Sequence, residues 1–310
     1  MKTKKIFLIL GFIILVIFLI AVIFYNSKSK SINTMLMLIE HNEIDGVLQW
    51  EKELDKRNLT ALINVQNNVL KEYPEAFKRL SDKGYEIGGH ADKGPFWDMP
   101  YEEQYESLKE VKELVEGITG KKMRVCNSAY FSYDENTLKA ADALGIEYIL
   151  GRGVNDVEAM VYHPQEYEAK IISVSNVDVG EPMGRGSLCD YSLWARGADS
   201  QEFGVILEKN IAKKPSNIIV VSHAYLGGTR LEWWNEYNKI LLSDKLNWNG
   251  FDSWIESQKV VSLPNSEIPI NREVKYDTPS PAKPMESYEP IPGIENGLVP
   301  VSPDDGSMCR

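Results

Sequence analysis

The stretch RLSDKGYEIGGH, residues 79–90, predicts a short strand over residues 85–89 that delivers a histidine into the following loop. The adjacent Gly88 and Gly89 allow the backbone to approach a neighbouring element closely. His90 is well placed to be a metal ligand, yet the next four residues contain no second histidine. The stretch therefore predicts either a metal-binding loop or a barrel loop that has no metal.

Strand-like and helix-like segments alternate regularly on both sides of this stretch. The apolar strand candidates are residues 34–39, 59–65, 85–89, 123–126, 147–150, 170–175 and 217–222, with 259–263 as an eighth. Seven or eight short β/α units predict an α/β fold, an irregular parallel (β/α)7-8 barrel. An open doubly wound sheet is the alternative, but no G-x-G-x-x-G motif supports a dinucleotide-binding fold.

Three of the intervening segments carry helix-terminus signals. Residues 100–120 place apolar side chains at spacings of three and four, begin at a proline and end at Gly120. Asp134 is a candidate N-cap for a second helix that ends at Gly145. Asp199 and Glu202 have the spacing of a capping box at the start of a third.

The two ends of the chain differ from this central region. Residues 6–25 contain no charge and are long enough to span a bilayer, so residues 1–25 predict an N-terminal transmembrane helix that anchors the protein. Residues 26–33 form a polar tether, and residues 34–263 form the barrel. Residues 264–310 hold nine of the 15 prolines, which predicts an extended or disordered tail that first wraps the domain and then trails.

Charge and cysteine content exclude several functions. The net charge is −11, and the first 30 residues carry five lysines and no acid. The remaining surface is thus strongly acidic and repels nucleic acid, whereas neutral partners such as sugars are compatible with it. The three cysteines show no C-x-x-C spacing, so neither a disulfide framework nor a thiolate zinc site is expected.

Three of the four histidines directly follow predicted strands. Glu40 and His41 follow the first strand, His90 the third and His223 the seventh. In a parallel barrel these strand ends open on one face, where active sites lie, so the pattern predicts a shared polar site. His163 lies before a proline and is expected in an exposed loop.

Several segments together resemble the polysaccharide deacetylase family, also called carbohydrate esterase family 4. RLSDKGYEIGGH is similar to the family's GHEIGNH, and LTALINVQNN (59–68) to its ATFFV strand. YFSYDENTLKAADALGIEYI (130–149) resembles YGxYNEETLKAAKELGY, and IIVVSHAY (218–225) resembles a late strand that ends in LHD. The resemblance covers roughly residues 34–262 and implies a deformed β/α barrel with a divalent-metal site that hydrolyses acetyl groups on glycans.

The departures from the family pattern fall on the catalytic motifs. Where the family has TFDDG, this chain has LIEHN: Glu40 takes the place of the aspartate base, and His41 that of a metal-binding aspartate. His90 matches the first histidine of H-x-x-x-H, but Gly94 stands at the second. Asn127 replaces the arginine that orients the base, and His223 matches the family's late histidine, the expected general acid.

These replacements leave the metal site open to two interpretations. His41 and His90 would preserve a two-histidine site, with Asp92 as the third ligand and Glu43 or Asp45 as alternatives. Zinc accepts two histidines, one carboxylate and water. In the other interpretation the metal is gone and the rim only binds sugar.

The remaining candidates are substrate-binding residues at the same rim. They are Asn127, Trp97, Tyr130, Arg152 and Trp233. Residues 180–197 form a glycine-containing insertion that is expected to act as a lid or to shape the substrate site.

The sequence and its family resemblance together predict a membrane-anchored, extracytoplasmic, metal-dependent hydrolase that removes acetyl groups from an envelope or extracellular polysaccharide, with zinc as the expected metal. An alternative is a deacetylase-like protein that binds glycan without hydrolysing it. A third is a barrel hydrolase acting on a peptide amide. Fold alone does not decide among them.

Overall fold

A computed structural model describes residues 31–180, 184–272, 281 and 283–294. The described strands are β1 (Ile32–Glu40), β2 (Leu62–Val65), β3 (Glu86–His90), β4 (Val125–Asn127), β5 (Tyr148–Gly151), β6 (Met160–Pro164), β7 (Lys170–Ser173), β8 (Asn176–Asp178), β9 (Arg185–Ser187), β10 (Asn217–His223), β11 (Leu246–Asn249) and β12 (Val260–Leu263). The described helices are α1 (Asp45–Asp55), α2 (Asn67–Glu72), α3 (Pro74–Asp82), α4 (Tyr101–Thr119), α5 (Glu135–Leu144), α6 (Asp190–Trp194), α7 (Ser200–Ala212), α8 (Ala224–Gly227), α9 (Leu231–Leu241) and α10 (Phe251–Glu256).

One curled sheet organises the molecule. Its strand order is β10-β1-β2-β3-β4-β5-β7-β6-β12, and β11 also pairs with β1. Every pairing in this sheet is parallel except that of β6 with β7. The prediction of an α/β fold built on an irregular, mostly parallel sheet is therefore confirmed.

The insertion over residues 180–197 has a different position from the one predicted. Leu188 donates its backbone N–H to Ser175, and Val221 of β10 donates to the Leu188 carbonyl. Cys189 forms an isolated parallel bridge with Val221. The described part of the insertion thus packs along the edge of β10 as buried structure instead of forming an exposed lid.

The helix termini follow the signals in the sequence. Asp134 caps α5 and Asp199 caps α7, each in a capping box with the third helical residue. Gly120 and Gly145 end α4 and α5 in the left-handed conformation, with φ of 69° and 68°. An N-cap of this kind stabilises a protein by about 1 kcal/mol.

The paired glycines of β3 are required by close packing on both faces of the strand. A Cβ at Gly88 would lie 2.2 Å from the Asn64 side chain, and one at Gly89 would lie 2.7 Å from Val111 of α4. Neither distance is compatible with a side chain, so the glycines allow α4 and β2 to pack tightly around the strand that carries His90.

The C-terminal region, predicted as a tail, packs on the domain wherever it is described. Met285, Tyr288 and Ile291 are buried, and backbone hydrogen bonds join Leu231 to Glu289 and Ile291 to Thr229. The prolines exclude regular helix here, but they do not prevent apolar side chains from joining the core.

The predicted membrane anchor, residues 6–25, lies outside the described residues. Among the residues that are described, no helix is both long and apolar enough to cross a bilayer.

Candidate functional site

Four buried polar residues lie where three strands of the sheet end. Glu40 is the last residue of β1, His90 the last of β3 and His223 the last of β10, while His41 follows β1 directly. Each of the four is at most 2% exposed. Because β10 pairs with β1 so that Ile39 lies opposite His223, the ends of these two strands are adjacent.

The three histidine rings contact one another. The centroid of the His41 ring lies 4.6 Å from that of His90 and 5.6 Å from that of His223. The rings of Tyr191 and Tyr225 lie against His223, at 5.0 and 5.5 Å between centroids. The three strand-end histidines therefore form one cluster, and together with Glu40, which precedes His41 in the chain, we call them the histidine cluster (Glu40, His41, His90 and His223).

Glu40 has one satisfied and one unsatisfied carboxylate oxygen. Its Oε1 accepts the backbone N–H groups of His41, Asn42 and Glu43 at 2.9, 2.9 and 3.2 Å. Its Oε2 is buried and has no hydrogen-bond partner within the described residues. Burial raises the pKa of Glu40 to about 8 even though the three N–H groups act in the opposite direction.

Burial keeps two of the histidines neutral. It lowers the pKa of His90 to about 4 and that of His41 well below its ordinary value, and the neighbouring rings lower the pKa of His41 further. His90 donates from Nδ1 to the Ala91 carbonyl at 3.1 Å, so its Nε2 carries the lone pair. A neutral imidazole oriented in this way through its other nitrogen is the form that binds metal ions.

His223 is oriented by a carboxylate that the sequence interpretation did not single out. Its Nδ1 lies 3.3 Å from Asp190 Oδ1 and 3.1 Å from Cys189 Sγ. Asp190 also accepts the backbone N–H of His223 at 2.8 Å and the Ser222 hydroxyl at 3.0 Å. Asp190 thus fixes the ring and directs its Nε2 away from the carboxylate.

Asp190 could not be identified from local sequence signals. It lies in the insertion, away from any predicted strand end, and it is one of 45 acidic residues. Its position depends on the packing of α6 against β10, which is a contact between distant parts of the chain.

Two groups of side chains have metal-binding chemistry. Cys189, Asp190 and His223 have ligand atoms within 4.8 Å of one another. The Asp190 oxygens already accept several hydrogen bonds, so this group is better explained as the support of His223. In contrast, both ring nitrogens of His41, the Nε2 atoms of His90 and His223 and Glu40 Oε2 are buried without a partner in the described structure.

These unpartnered atoms are of the types that bind a divalent cation. Buried polar atoms in native proteins are almost always satisfied, so the imidazole nitrogens and the Glu40 oxygen are candidate ligand atoms, although they lie farther apart than those of Cys189, Asp190 and His223. The Gln66 amide lies near His41 and favours its protonated form, but no contact to either ring nitrogen has hydrogen-bond geometry. His41 and His90 are the two residues predicted as histidine ligands.

The predicted third ligand is placed differently. Asp92 lies in the loop after β3 and is exposed as a residue, but partial desolvation of its carboxyl group raises the pKa to about 6. Like Glu40, His41 and His90, it belongs to no group of three close metal-binding residues in the described chain. Glu40 Oε2 is the carboxylate oxygen left without a partner within the cluster itself.

Gly94, at the position of the family's second histidine, has a backbone that disfavours a side chain. Its φ is 79°, in the left-handed region. A histidine in this conformation would be strained by roughly 1–2 kcal/mol.

The predicted substrate-binding residues separate into two groups. Trp97 and Tyr130 are partly exposed and stack, with ring centroids 6.0 Å apart and planes inclined by 16°. Asn127 is buried, where it accepts from the Asn64 amide and donates to the Ser128 carbonyl. Arg152 is also buried, and its backbone N–H bonds to the Phe131 carbonyl.

The prediction for Trp233 requires correction. Its side chain is fully buried between Phe203 and Tyr288, with centroid distances of 5.3 and 5.8 Å. Tyr288 comes from the C-terminal segment, which the sequence interpretation placed outside the core. Trp233 therefore packs in the interior and presents no face to a sugar.

His163 also differs from its expected position. It lies within β6, is partly buried and has its Nε2 2.9 Å from the Tyr167 carbonyl. Pro164, which follows it, is the last residue of β6 and lies opposite Leu263 of β12.

Comparisons with known proteins agree with this fold. Residues 49–149, about a third of the chain, match the family model for polysaccharide deacetylase. A comparison with curated protein sequences gave no match. The resemblance to polysaccharide deacetylases is therefore confirmed, and the chain contains a polysaccharide deacetylase-like domain.

Solved structures show the same fold at low sequence identity. A Mycobacterium smegmatis protein with a provisional assignment as a polysaccharide deacetylase has a TM-score of 0.57 and 11% identity, covering 76% of this chain and 95% of its own. A peptidoglycan deacetylase of Bacillus subtilis has a TM-score of 0.50 and 11% identity, covering 74% and 91%. The 4-alpha-glucanotransferase of Thermococcus litoralis has a TM-score of 0.53 and 12% identity, covering 76% and 42%.

The turn after β4 contains two consecutive residues other than glycine in the left-handed region. Phe131 stands where the family pattern YGxYNEETLKAAKELGY has glycine, and its φ is 54°. The preceding Tyr130 has a φ of 61°. Two consecutive left-handed residues other than glycine are strained, and such strain is concentrated at functional sites.

Proposed function

We propose that this protein is a metal-dependent hydrolase that removes acetyl groups from an extracellular polysaccharide. The observation that carries the proposal is the histidine cluster, which places five unpartnered polar atoms at the carboxyl ends of the strands in a polysaccharide deacetylase-like fold. Active sites of parallel β/α folds lie at this face.

His41 and His90 would hold the divalent metal, for which zinc is the proposed identity. Neutral imidazole nitrogens are good zinc ligands. Bound there, the metal would lower the pKa of a water molecule and polarise the acetyl carbonyl. Glu40 precedes His41 in the chain and carries the unpartnered carboxylate oxygen Oε2. This oxygen would serve either as the third metal ligand or as the base.

Glu40 is the proposed general base. Its unpartnered Oε2 can accept the proton of the attacking water, while Oε1 is held by three backbone N–H groups. Because its pKa in the metal-free protein is about 8, the carboxyl group is poised near neutral pH. Only the ionised form acts as a base, so a nearby cation, which lowers this pKa, would increase the active fraction.

His223 is the proposed general acid. Its Nε2 is free to give a proton to the departing amine, while Asp190 at 3.3 Å from Nδ1 fixes the ring and stabilises the imidazolium. Trp97 and Tyr130, which are partly exposed, are the proposed contacts for sugar rings. Asn127 and Arg152, which are buried, are further proposed substrate-binding residues.

A specific observation favours a second candidate, a glycan-binding protein without hydrolysis. All four residues of the histidine cluster are at most 2% exposed, so an acetyl group reaches them only after neighbouring side chains move. Gly94 and Asn127 also stand where the family pattern has a metal ligand and the arginine that orients the base. The partly exposed Trp97 and Tyr130 would remain available for binding.

Acetate release distinguishes the two candidates. The full-length protein, loaded with zinc, would be incubated with N-acetylglucosamine oligosaccharides and assayed before and after treatment with a chelator. We expect acetate release that the chelator abolishes and added zinc restores. Binding of the oligosaccharide with no acetate released under any of these conditions would favour the second candidate.

The proposed location is the outer face of a membrane, with residues 6–25 as the anchor. Support comes from the uncharged run of these twenty residues and from the polysaccharide substrate of the proposed reaction. Fractionation of cells tests it: the full chain should remain in the membrane pellet after alkaline extraction, and deletion of residues 2–25 should release it. Release of the full chain by the same extraction would contradict an anchor.

A further inference from the structure

Gln104 of α4 is a fully buried amide that the proposed mechanism does not use. Its Nε2 lies 2.9 Å from the carbonyl oxygens of both Phe96 and Met99, and 3.0 Å from Asp134 Oδ1. Its Oε1 accepts the Thr137 hydroxyl. The amide thus joins the loop after β3 to the N-terminus of α5.

The same loop is held by two other buried side chains. Ser132 Oγ accepts the backbone N–H of Phe96 at 2.6 Å, and Asp134 Oδ2 accepts that of Asp98 at 3.2 Å. Ser128 in turn contacts Ser132, with 2.6 Å between their hydroxyl oxygens. These bonds fix the loop backbone on both sides of Trp97.

These hydrogen bonds fix the position of Trp97, which lies between Phe96 and Asp98 in the loop. Its ring stacks on Tyr130, and its indole Nε1 is shielded from solvent without a partner in the described residues. An indole N–H normally finds an acceptor when it is buried. The partly exposed faces of the stacked Trp97 and Tyr130 rings offer a sugar ring an apolar surface.

We propose that Gln104 is a positioning residue that holds Trp97 and Tyr130 as a sugar-binding platform beside the histidine cluster. This inference rests on the proposed glycan substrate and deepens it. The amide acts through the loop backbone and touches no reacting atom, so it sets the affinity for the glycan and leaves the chemical step unchanged. Its replacement lets the loop shift and separates the two rings.

The test compares Gln104→Leu with Leu108→Ala, a change in the same helix that also removes buried contacts but not the clamp. We expect Gln104→Leu to raise both the KM and the dissociation constant for an N-acetylglucosamine tetrasaccharide about tenfold, the size of one lost aromatic contact. The kcat should stay within about twofold. Leu108→Ala should lower thermal stability yet leave the affinity unchanged.

A double-mutant cycle assigns the effect to Trp97. Because Gln104 acts through this ring, Trp97→Ala should weaken binding to a similar degree, and Gln104→Leu should add nothing in its presence. Ser132→Ala, which frees the loop from the other side, provides a second variant if Gln104→Leu does not fold. It should weaken binding in the same direction.

Direct binding measurements separate this inference from the proposed hydrolysis. Titrations with the Glu40→Gln protein measure tetrasaccharide affinity without turnover. Unchanged affinity in Gln104→Leu and Ser132→Ala, or an equal loss in Leu108→Ala, would overturn the positioning role. Normal binding with no acetate release by the wild type would contradict the proposed hydrolysis and leave the platform supported.

Discussion

The two ends of strand β3 treat buried polar groups in opposite ways. Glu86 begins the strand and lies 3.5 Å from Arg124, which also bonds to Glu147 at 3.3 Å and to Asp252 at 2.6 Å. His90 ends the strand, and its Nε2 has no partner among the described residues. At the amino end the charges are paired, whereas at the carboxyl end polar atoms converge without partners.

The amino end of β3 is therefore expected to contribute to stability, whereas the carboxyl end is the proposed functional site. A buried polar group without a hydrogen bond lowers the free energy of unfolding by roughly 1–3 kcal/mol, so a cluster of unpartnered groups destabilises the folded protein. The histidine cluster contains five such atoms, which the proposed metal and substrate would satisfy. The amino end has no comparable deficit, and we expect substitutions there to alter stability but not catalysis.

The largest expected difference between the two ends is in catalysis. Glu40→Gln removes the proposed base and should lower kcat about 10²–10⁴-fold, while Glu86→Gln, the matched change at the amino end, should leave kcat unchanged. Acetate release under saturating oligosaccharide measures both. Equal activity of the two variants would remove the distinction between the strand ends.

Next in size is the effect of the carboxylate that orients His223. Asp190→Asn replaces an acceptor of several buried hydrogen bonds with a side chain that also donates. We expect a loss of about 1–3 kcal/mol in the free energy of unfolding and a fall in kcat of about 10²-fold. Asp252→Asn, in the exposed part of the Arg124 network, should cost less than about 1 kcal/mol. A reversed order in chemical denaturation would contradict the comparison.

We expect Glu86, at the amino end of β3, to make the stability of the protein depend on pH. Burial raises the pKa of Glu86 from 4.5 to about 7, against the smaller opposing effect of Arg124. Since the folded state binds this proton more tightly, the stabilisation is complete below pH 4.5 and is lost as the pH rises through 7. Relative to Glu86→Gln, the wild type should lose about 2 kcal/mol between pH 4.5 and 8. Parallel pH profiles in urea unfolding would refute the assignment.

The smallest effect is expected for a surface ion pair that belongs to neither end. Lys78 and Asp82 pair at 2.8 Å on α3, with side chains 46% and 56% exposed. Exposed pairs at this helical spacing contribute very little, because solvent screens them. Lys78→Ala should therefore change the unfolding midpoint very little. A loss above about 1 kcal/mol would show that pairing as such, and not burial, determines stability here.

Local signals in the sequence were sufficient for much of the fold. The bounds of α4, α5 and α7 follow from apolar spacing and from capping residues such as Asp134, Asp199 and Gly145, which act within one or two turns. The strand-end positions of His90 and His223 follow from short apolar runs, because parallel strands of one sheet end on one face.

Long-range packing set the limits of prediction. Asp190 reaches His223 only because the insertion folds back along β10, and Trp233 becomes buried only when Tyr288 from the C-terminal segment covers it. No local pattern encodes either contact. The strand β6 ends at Pro164, a residue that locally indicates a loop, and it pairs antiparallel with β7.

Zinc titration by calorimetry tests the central claim most directly. We expect the full-length wild-type protein and Glu86→Gln to bind zinc with the same affinity, and His90→Ala to bind it far more weakly or not at all. Absence of zinc binding by the wild type, or equal affinity in His90→Ala, would contradict a metal site at the carboxyl end of β3.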